Sequence, residues 1–159
     1  MPGVEPRANM IPVYICSGGT EYMADIIAFP HEERRRYTVL IVDDEPVIRG
    51  FLYDYLSESG FNPLTAASGD EAVELLQKEI SVDLVFSDVR MPGTLDGFGL
   101  ARWVMDHRPG LPVILASGDL GKINATRELV AEIVPKPYDF AVVVRKMHAA
   151  LDHRARCSA

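Results

Sequence analysis

Three aspartates, a serine and a lysine of this chain stand where short apolar runs end. "TVLIV" (38–42) is followed by Asp43, Asp44 and Glu45. "VDLVFSD" (82–88) delivers Asp88, and a Met-Pro-Gly turn comes soon after. "PVILAS" (112–117) ends in Ser117, before Gly118 and Asp119, and "IVP" (133–135) runs into Lys136-Pro137. An acid at the end of a buried run needs a partner, because an unpaired buried carboxylate costs several kcal/mol or takes up a proton. Three carboxylates brought together also raise one another's pKa. One divalent cation and one lysine would neutralise them. Oxygen donors without His or Cys favour Mg²⁺, which binds one or two carboxylates and completes its shell with water or phosphate. Such a set is incomplete until a phosphoryl group arrives. Asp88 could then attack phosphorus and form an acyl phosphate. Lys136 and the Ser117 hydroxyl would hold the phosphoryl oxygens.

These residues act together only if the fold gathers them, and the pattern between them says how. Each apolar run is short and rich in β-branched residues, as buried strands are. After the first comes a helical pattern, Ile48, Phe51, Leu52, Tyr55 and Leu56, closed by Gly60. A weaker strand is expected at 62–67, then a helix capped by Ser68 or Asp70 with Val73, Leu75 and Leu76 on its apolar face. The third strand is expected at 82–88 and the third helix at 98–107. The fourth strand is expected at 112–117, a weaker fourth helix at 120–132 and a very short fifth strand at 133–135. Phe140, Val144, Met147 and Leu151 mark a fifth helix. Repeated βα units predict an α/β fold: a five-stranded, doubly wound parallel sheet with helices on both faces. The flavodoxin-like order 2-1-3-4-5 is the usual solution at this size, and its sites lie at the carboxyl ends of the strands. All five residues fall on that edge.

Composition narrows the function classes. The chain has 159 residues and a formal net charge of -7, which disfavours generic nucleic-acid binding. The basic cluster "HEERRRY" (31–37) holds two glutamates and reads as a solvated segment. Cys16 and Cys157 form no CxxC or zinc spacing, and two cysteines near opposite ends suit a reducing, cytoplasmic setting. No apolar run approaches membrane-spanning length. Residues 1–36 show no sustained period and are expected to be a flexible or loosely packed extension, with the folded domain at 37–155 and a tail at 156–159.

The motifs "LIVDDE", "FSDVRMPG", "VILASG" and "PKPY" resemble the response-regulator receiver domain of two-component signalling, over roughly residues 37–155. Each motif alone is weak, but four in order within the same βα frame are specific. The resemblance implies roles for individual residues. Asp88 matches the phosphoacceptor and Asp44 a direct Mg²⁺ ligand. Asp43 matches an acid that reaches the metal mainly through water, and the backbone carbonyl of Arg90 a further protein ligand. Ser117 matches the switch hydroxyl, Lys136 the phosphate-binding lysine, and Pro137 a position that commonly follows a cis bond. One position departs: Ile133 stands where the family often has a rotating Tyr or Phe. Arg90 and Asp119 flank the pocket, and an ion pair between them would slow water entry.

The expected function is a phosphorylation-dependent switch, not an enzyme in the ordinary sense, with self-catalysed phosphoryl transfer and autodephosphorylation. The implied partners are a histidine kinase or histidine phosphotransfer protein and an unknown downstream protein. A phosphorylation-dependent homodimer through the fourth helix, fifth strand and fifth helix is a further expectation; nucleic acid and membrane are not expected partners. Few residues follow the fifth helix, so a stand-alone receiver is expected; a reading frame continuing past Ala159 would overturn that. Two rivals stay open. One is a receiver-fold adaptor that does not use phosphorylation, which Ile133 permits. The other is a Mg²⁺-dependent aspartyl-phosphate hydrolase, which typically has a second Asp two residues after its nucleophile, where this chain has Arg90.

Overall fold

A computed structural model describes residues 36–78, 81–118 and 131–157 of the chain. Five parallel strands form one sheet in the order β2-β1-β3-β4-β5. They are β1 (Thr38–Val42), β2 (Asn62–Ala66), β3 (Leu84–Asp88), β4 (Val113–Ser117) and β5 (Ala131–Pro135). Four helices are described: α1 (Pro46–Glu58), α2 (Gly69–Gln77), α3 (Gly97–His107) and α4 (Phe140–Cys157). The expected class and strand order are both found.

The sheet is buried on both faces, and β1 shows how. Val39 and Ile41 join a core with Leu52 and Leu56 of α1 and Val143, Met147 and Leu151 of α4. Leu40 and Val42 point the other way, to a core with Ala72 and Leu76 of α2 and Leu100 and Val104 of α3. That alternation is the two-residue period of a strand, with helices on each side. It explains why "TVLIV" has no polar residue after Thr38. Pro63 lies in β2, which among the described residues pairs only with β1, and an edge strand tolerates a residue that cannot donate to the ladder.

The helix ends follow local chemistry. Pro46 opens α1, where its fixed φ fits and its missing N–H is no loss. Ser68 caps α2 by accepting the Glu71 N–H, and the Glu71 carboxylate accepts the Ala67 N–H in return. Of the two expected caps, Ser68 does the work; Asp70 is engaged elsewhere. Asp96 caps α3 through the Gly99 N–H. At the opposite edge of the sheet, Asp83 accepts the Thr38 N–H at 2.9 Å, and Arg154 of α4 donates to the Asp83 carbonyl at 2.8 Å. That contact ties the last helix to the starts of β1 and β3.

Two expectations need correction. Ala131 and Glu132 fall in the expected helix 120–132 but pair with Val113 and Ile114 as the first residues of β5. Ala and Glu are strong helix formers, and cross-strand pairing overrides that preference here. The expected third strand also starts two residues late, because the Asp83 side chain takes up the Thr38 N–H that a ladder would use. The rest of the helix expected at 120–132 lies outside the described residues, as do Asp119, Cys16 and all of the expected extension except Arg36.

Met147 is fully buried between α4 and the sheet. Met147→Ala should therefore lower stability by about 2–4 kcal/mol, as a cavity-forming core truncation does. A urea melt would show it as a lower midpoint with an unchanged slope. A shift below about 1 kcal/mol would mean that α4 is not a structural part of the core.

Candidate functional site

The register of the sheet brings the acids together. Val42 pairs with Ser87, so the next residues of the two strands, Asp43 and Asp88, lie at the same level. Carboxylate oxygens of Asp43, Asp44 and Asp88 all lie within 4.8 Å of one another. Asp43 and Asp88 are almost completely buried, with 2% and 8% of their surface exposed, and Asp44 is half-buried. Such crowding is unfavourable for three like charges in a poorly solvated place.

Several donors offset part of it. Lys136 Nζ lies 2.9 Å from Asp88 Oδ2, which makes a charge-assisted pair. The Arg90 N–H points at Asp88 Oδ1 across a longer 3.3 Å. Asp43 Oδ1 accepts the Glu45 N–H at 2.8 Å, so the acid before α1 bonds its own loop. The helix itself begins after Glu45 with no side-chain cap. Arg49, one turn into α1, donates to the Asp43 carbonyl.

Burial pushes the Asp43 carboxyl above the usual range. The Glu45 N–H and the Lys136 ammonium oppose this, and the Asp88 and Asp44 charges reinforce it. Tyr138, just after Lys136-Pro137, is also raised, first by burial and then by the Asp43, Asp88 and Glu45 charges. Its ring meets Phe86 edge-on at 5.7 Å, two residues before Asp88.

Ser117 ends β4 and is buried, 3% exposed. Its preceding residue, Ala116, pairs with Asp88, and its carbonyl accepts the Lys136 N–H at 2.8 Å. The hydroxyl and the lysine are thus carried by adjacent strands on the edge that holds Asp88. The Lys136-Pro137 bond is cis. Ile133 pairs with Leu115 and packs half-buried on the core shared with α2 and α3. The pocket side of Asp119, and with it the expected Arg90–Asp119 pair, lies outside the described residues.

The donor set fits a hard divalent cation. It has oxygen ligands only, and two charges are left over after Lys136 is counted against three carboxylates. Sequence reasoning missed Arg49 and Tyr138. Tyr138 closes the quoted "PKPY", and its nearness to a pocket lysine was the available signal. Arg49 gives none, since its partner is a backbone carbonyl.

The sequence matches the response regulator receiver domain over residues 39–148. The chain belongs to that family. NtrC of Escherichia coli, a DNA-binding transcriptional regulator, is 34% identical over 122 residues, 75% of this chain and 26% of NtrC. The sensor kinase/phosphatase LuxN of Vibrio harveyi is 40% identical over 85 residues, 54% of this chain and 10% of LuxN. The chain thus spans about a quarter or less of the curated relatives it matches. Among solved structures, TrrA of Thermotoga maritima, in complex with Mg²⁺-BeF, is 30% identical with a TM-score of 0.66; 72% of this chain and 98% of that one are covered. A receiver protein of Sinorhizobium medicae is 25% identical with a TM-score of 0.69, covering 76% of this chain and 98% of the other. Receiver domains are signalling proteins of two-component systems, so the hydrolase alternative is set aside. Among the described residues no helix is long and apolar enough to cross a membrane.

The raised Asp43 carboxyl makes a pH prediction for metal-free protein. A native pKa above the unfolded value favours the neutral acid in the fold. That stability is complete below the ordinary aspartate range and is lost as pH rises through the raised native value. Asp43→Asn keeps the acceptor for Glu45 and removes the charge. In chelator at pH 7 its melting temperature should exceed that of wild type, and the gap should close at acid pH. A lower melting temperature for Asp43→Asn at pH 7 would contradict the assignment.

Proposed function

We propose that this receiver is a phosphorylation-dependent switch that takes a phosphoryl group on Asp88. The observation that carries the reading is the two-sided environment of the Asp88 carboxylate: Lys136 at 2.9 Å on one oxygen, and the Asp43–Asp44 pair within 4.8 Å. A phosphoryl group arriving there meets an ammonium already in place, in a buried site that shields the acyl phosphate from bulk water. Asp43, Asp44, Asp88 and the backbone carbonyl of Arg90 would hold Mg²⁺. When bound, the ion neutralises charge on the phosphoryl oxygens and on the carboxylates.

Asp88 then acts as the nucleophile. One of its carboxylate oxygens attacks phosphorus, the new O–P bond forms, and the P–N bond of a phosphohistidine donor breaks. The histidine leaves as a neutral imidazole, its other ring nitrogen carrying a proton taken from solvent before transfer. Lys136 follows the charge from the carboxylate to the phosphoryl oxygens, and the Ser117 hydroxyl donates to another of them. Autodephosphorylation is attack of water on the same phosphorus, which returns the Asp88 carboxylate and inorganic phosphate. The donor is a histidine kinase or a histidine phosphotransfer protein. The group is passed on, or its presence is read, by contact with a downstream protein in the cytoplasm.

Ile133 bears on the readout. It is held in the core with Leu115 and has no ring to rotate. A change at Ser117 does not pass through an aromatic at position 133; the backbone of β4 and β5, joined at Ser117 and Lys136, is one path open to it. The homodimer through the helix expected at 120–132, β5 and α4 remains part of this proposal, and residues 1–36 are proposed as an extension outside the receiver.

The test is intact mass after incubation with Mg²⁺ and a small acyl-phosphate donor. Wild type should gain one phosphoryl group, and Asp88→Asn should gain none. Lys136→Ala should form the adduct at least about tenfold more slowly, because it removes a charged contact to the transferring group. An adduct on Asp88→Asn would overturn the assignment. A wild type that binds Mg²⁺ yet accepts neither phosphoryl nor a fluoroberyllate mimic would favour the phosphorylation-independent adaptor.

A further inference from the structure

Asp70 sits in the first turn of α2, well outside the acid cluster, and its carboxylate is turned away from its own helix. Ser68 and Glu71 already complete the cap there. Asp70 Oδ2 instead accepts the backbone N–H of Thr94 at 2.9 Å and that of Leu95 at a longer 3.5 Å. Both donors belong to the loop between Asp88 and α3, the segment that carries Arg90. The approach is close and glycine makes it so. A Cβ on Gly93, whose φ is +123°, would stand 2.8 Å from Asp70 Oδ2. A Cβ on Gly69 would stand 2.4 Å from the Leu95 carbonyl oxygen. At the loop's far end, a Cβ on Gly97 would stand 2.3 Å from the Asp88 carbonyl oxygen, and the Gly97 N–H donates to Val89 at 3.0 Å. The loop is therefore fixed to β3 at one place and to α2 at another.

We infer that Asp70 is a positioning residue for the metal site: a carboxylate latch that holds the Asp88–α3 loop so that the Arg90 carbonyl is presented to the cation. The inference rests on the reading of Asp88, Asp43, Asp44 and the Arg90 carbonyl as the ligand set. Its physical basis is that a carboxylate accepting two backbone N–H groups fixes two consecutive peptide planes, here four and five residues beyond Arg90. Residues that orient ligands without touching the metal typically matter about ten- to a hundredfold in affinity. Asp70 acts through the loop and not on the ion, so the lower end applies. The latch also makes the first turn of α2 a part of the site's framework, which its distance along the chain from every ligand conceals.

The experiment compares wild type, Asp70→Ala, Asp70→Asn and Asp88→Asn by calorimetric Mg²⁺ titration and by amide hydrogen exchange at Thr94 and Leu95 in metal-free protein. Asp70→Ala should lose protection at both amides and bind Mg²⁺ about tenfold more weakly. Asp70→Asn keeps an acceptor oxygen and should stay within about twofold of wild type in both. Lost protection with unchanged Mg²⁺ affinity would overturn the positioning role. Equal losses in the Ala and Asn variants would overturn it too, since the effect would then follow Asp70's charge and not its hydrogen bonds. Failure of the underlying site has a different signature: wild type and Asp88→Asn would bind Mg²⁺ alike, while the exchange data would still separate Asp70→Ala from wild type.

Discussion

The structure turns on one unfavourable fact: three carboxylates are held within 4.8 Å of one another, with one lysine paired to Asp88. Left to itself such a cluster would spread apart or take up protons. It stays because its members are fixed by different parts of a rigid frame. Asp88 is the last residue of the central strand β3, and Asp43 follows β1, its neighbour. Both strands are covered on each face by fully buried Val, Leu, Ile and Phe side chains. The apolar core therefore supplies the stability that the acid cluster withdraws. Strain of this kind, compensated elsewhere in a fold, is what functional sites often show.

The same frame limits how a signal could leave the site. Asp88 and Ser117 lie on paired strands, and the Ser117 carbonyl accepts the Lys136 N–H. A group bound to Asp88 would thus meet one hydroxyl and one ammonium whose backbones are hydrogen-bonded to each other. Tyr138 follows directly and packs on Phe86 and Phe140, and Phe140 in turn meets Tyr55 of α1. The aromatic contacts in this region run towards α1 and α4, while Ile133 is committed to the opposite core. Tyr138 lies two residues after Lys136, so its packing on Phe86 and Phe140 adjoins the pocket lysine along the chain.

Much of this was legible in the sequence because it is local. Strand β1 is read from five consecutive residues, and the helices from apolar spacing. The acids at strand ends follow from chain order plus the rule that sites lie at the carboxyl edge of such sheets. What was not legible is carried by long-range or backbone partners. Ala131 and Glu132 look helical and become strand only because Val113 and Ile114 lie beside them. Asp70 reads as a candidate helix cap, since backbone donors 24 and 25 residues away leave no trace in side-chain types. Arg49 is hidden for the same reason, its acceptor being the Asp43 carbonyl. The strand order, too, came from the size of the sheet and not from any residue.

The central claim is that the acid cluster is a Mg²⁺ site completed by a phosphoryl group on Asp88. The most direct measurement is a calorimetric titration of Mg²⁺ into wild-type protein with and without fluoroberyllate, a phosphoryl mimic. The account predicts that Mg²⁺ binds in both cases and at least about tenfold more tightly with the mimic, because the mimic adds an anionic ligand to a shell that the carboxylates leave open. Equal affinity with and without it, or no Mg²⁺ binding at all, would contradict the account.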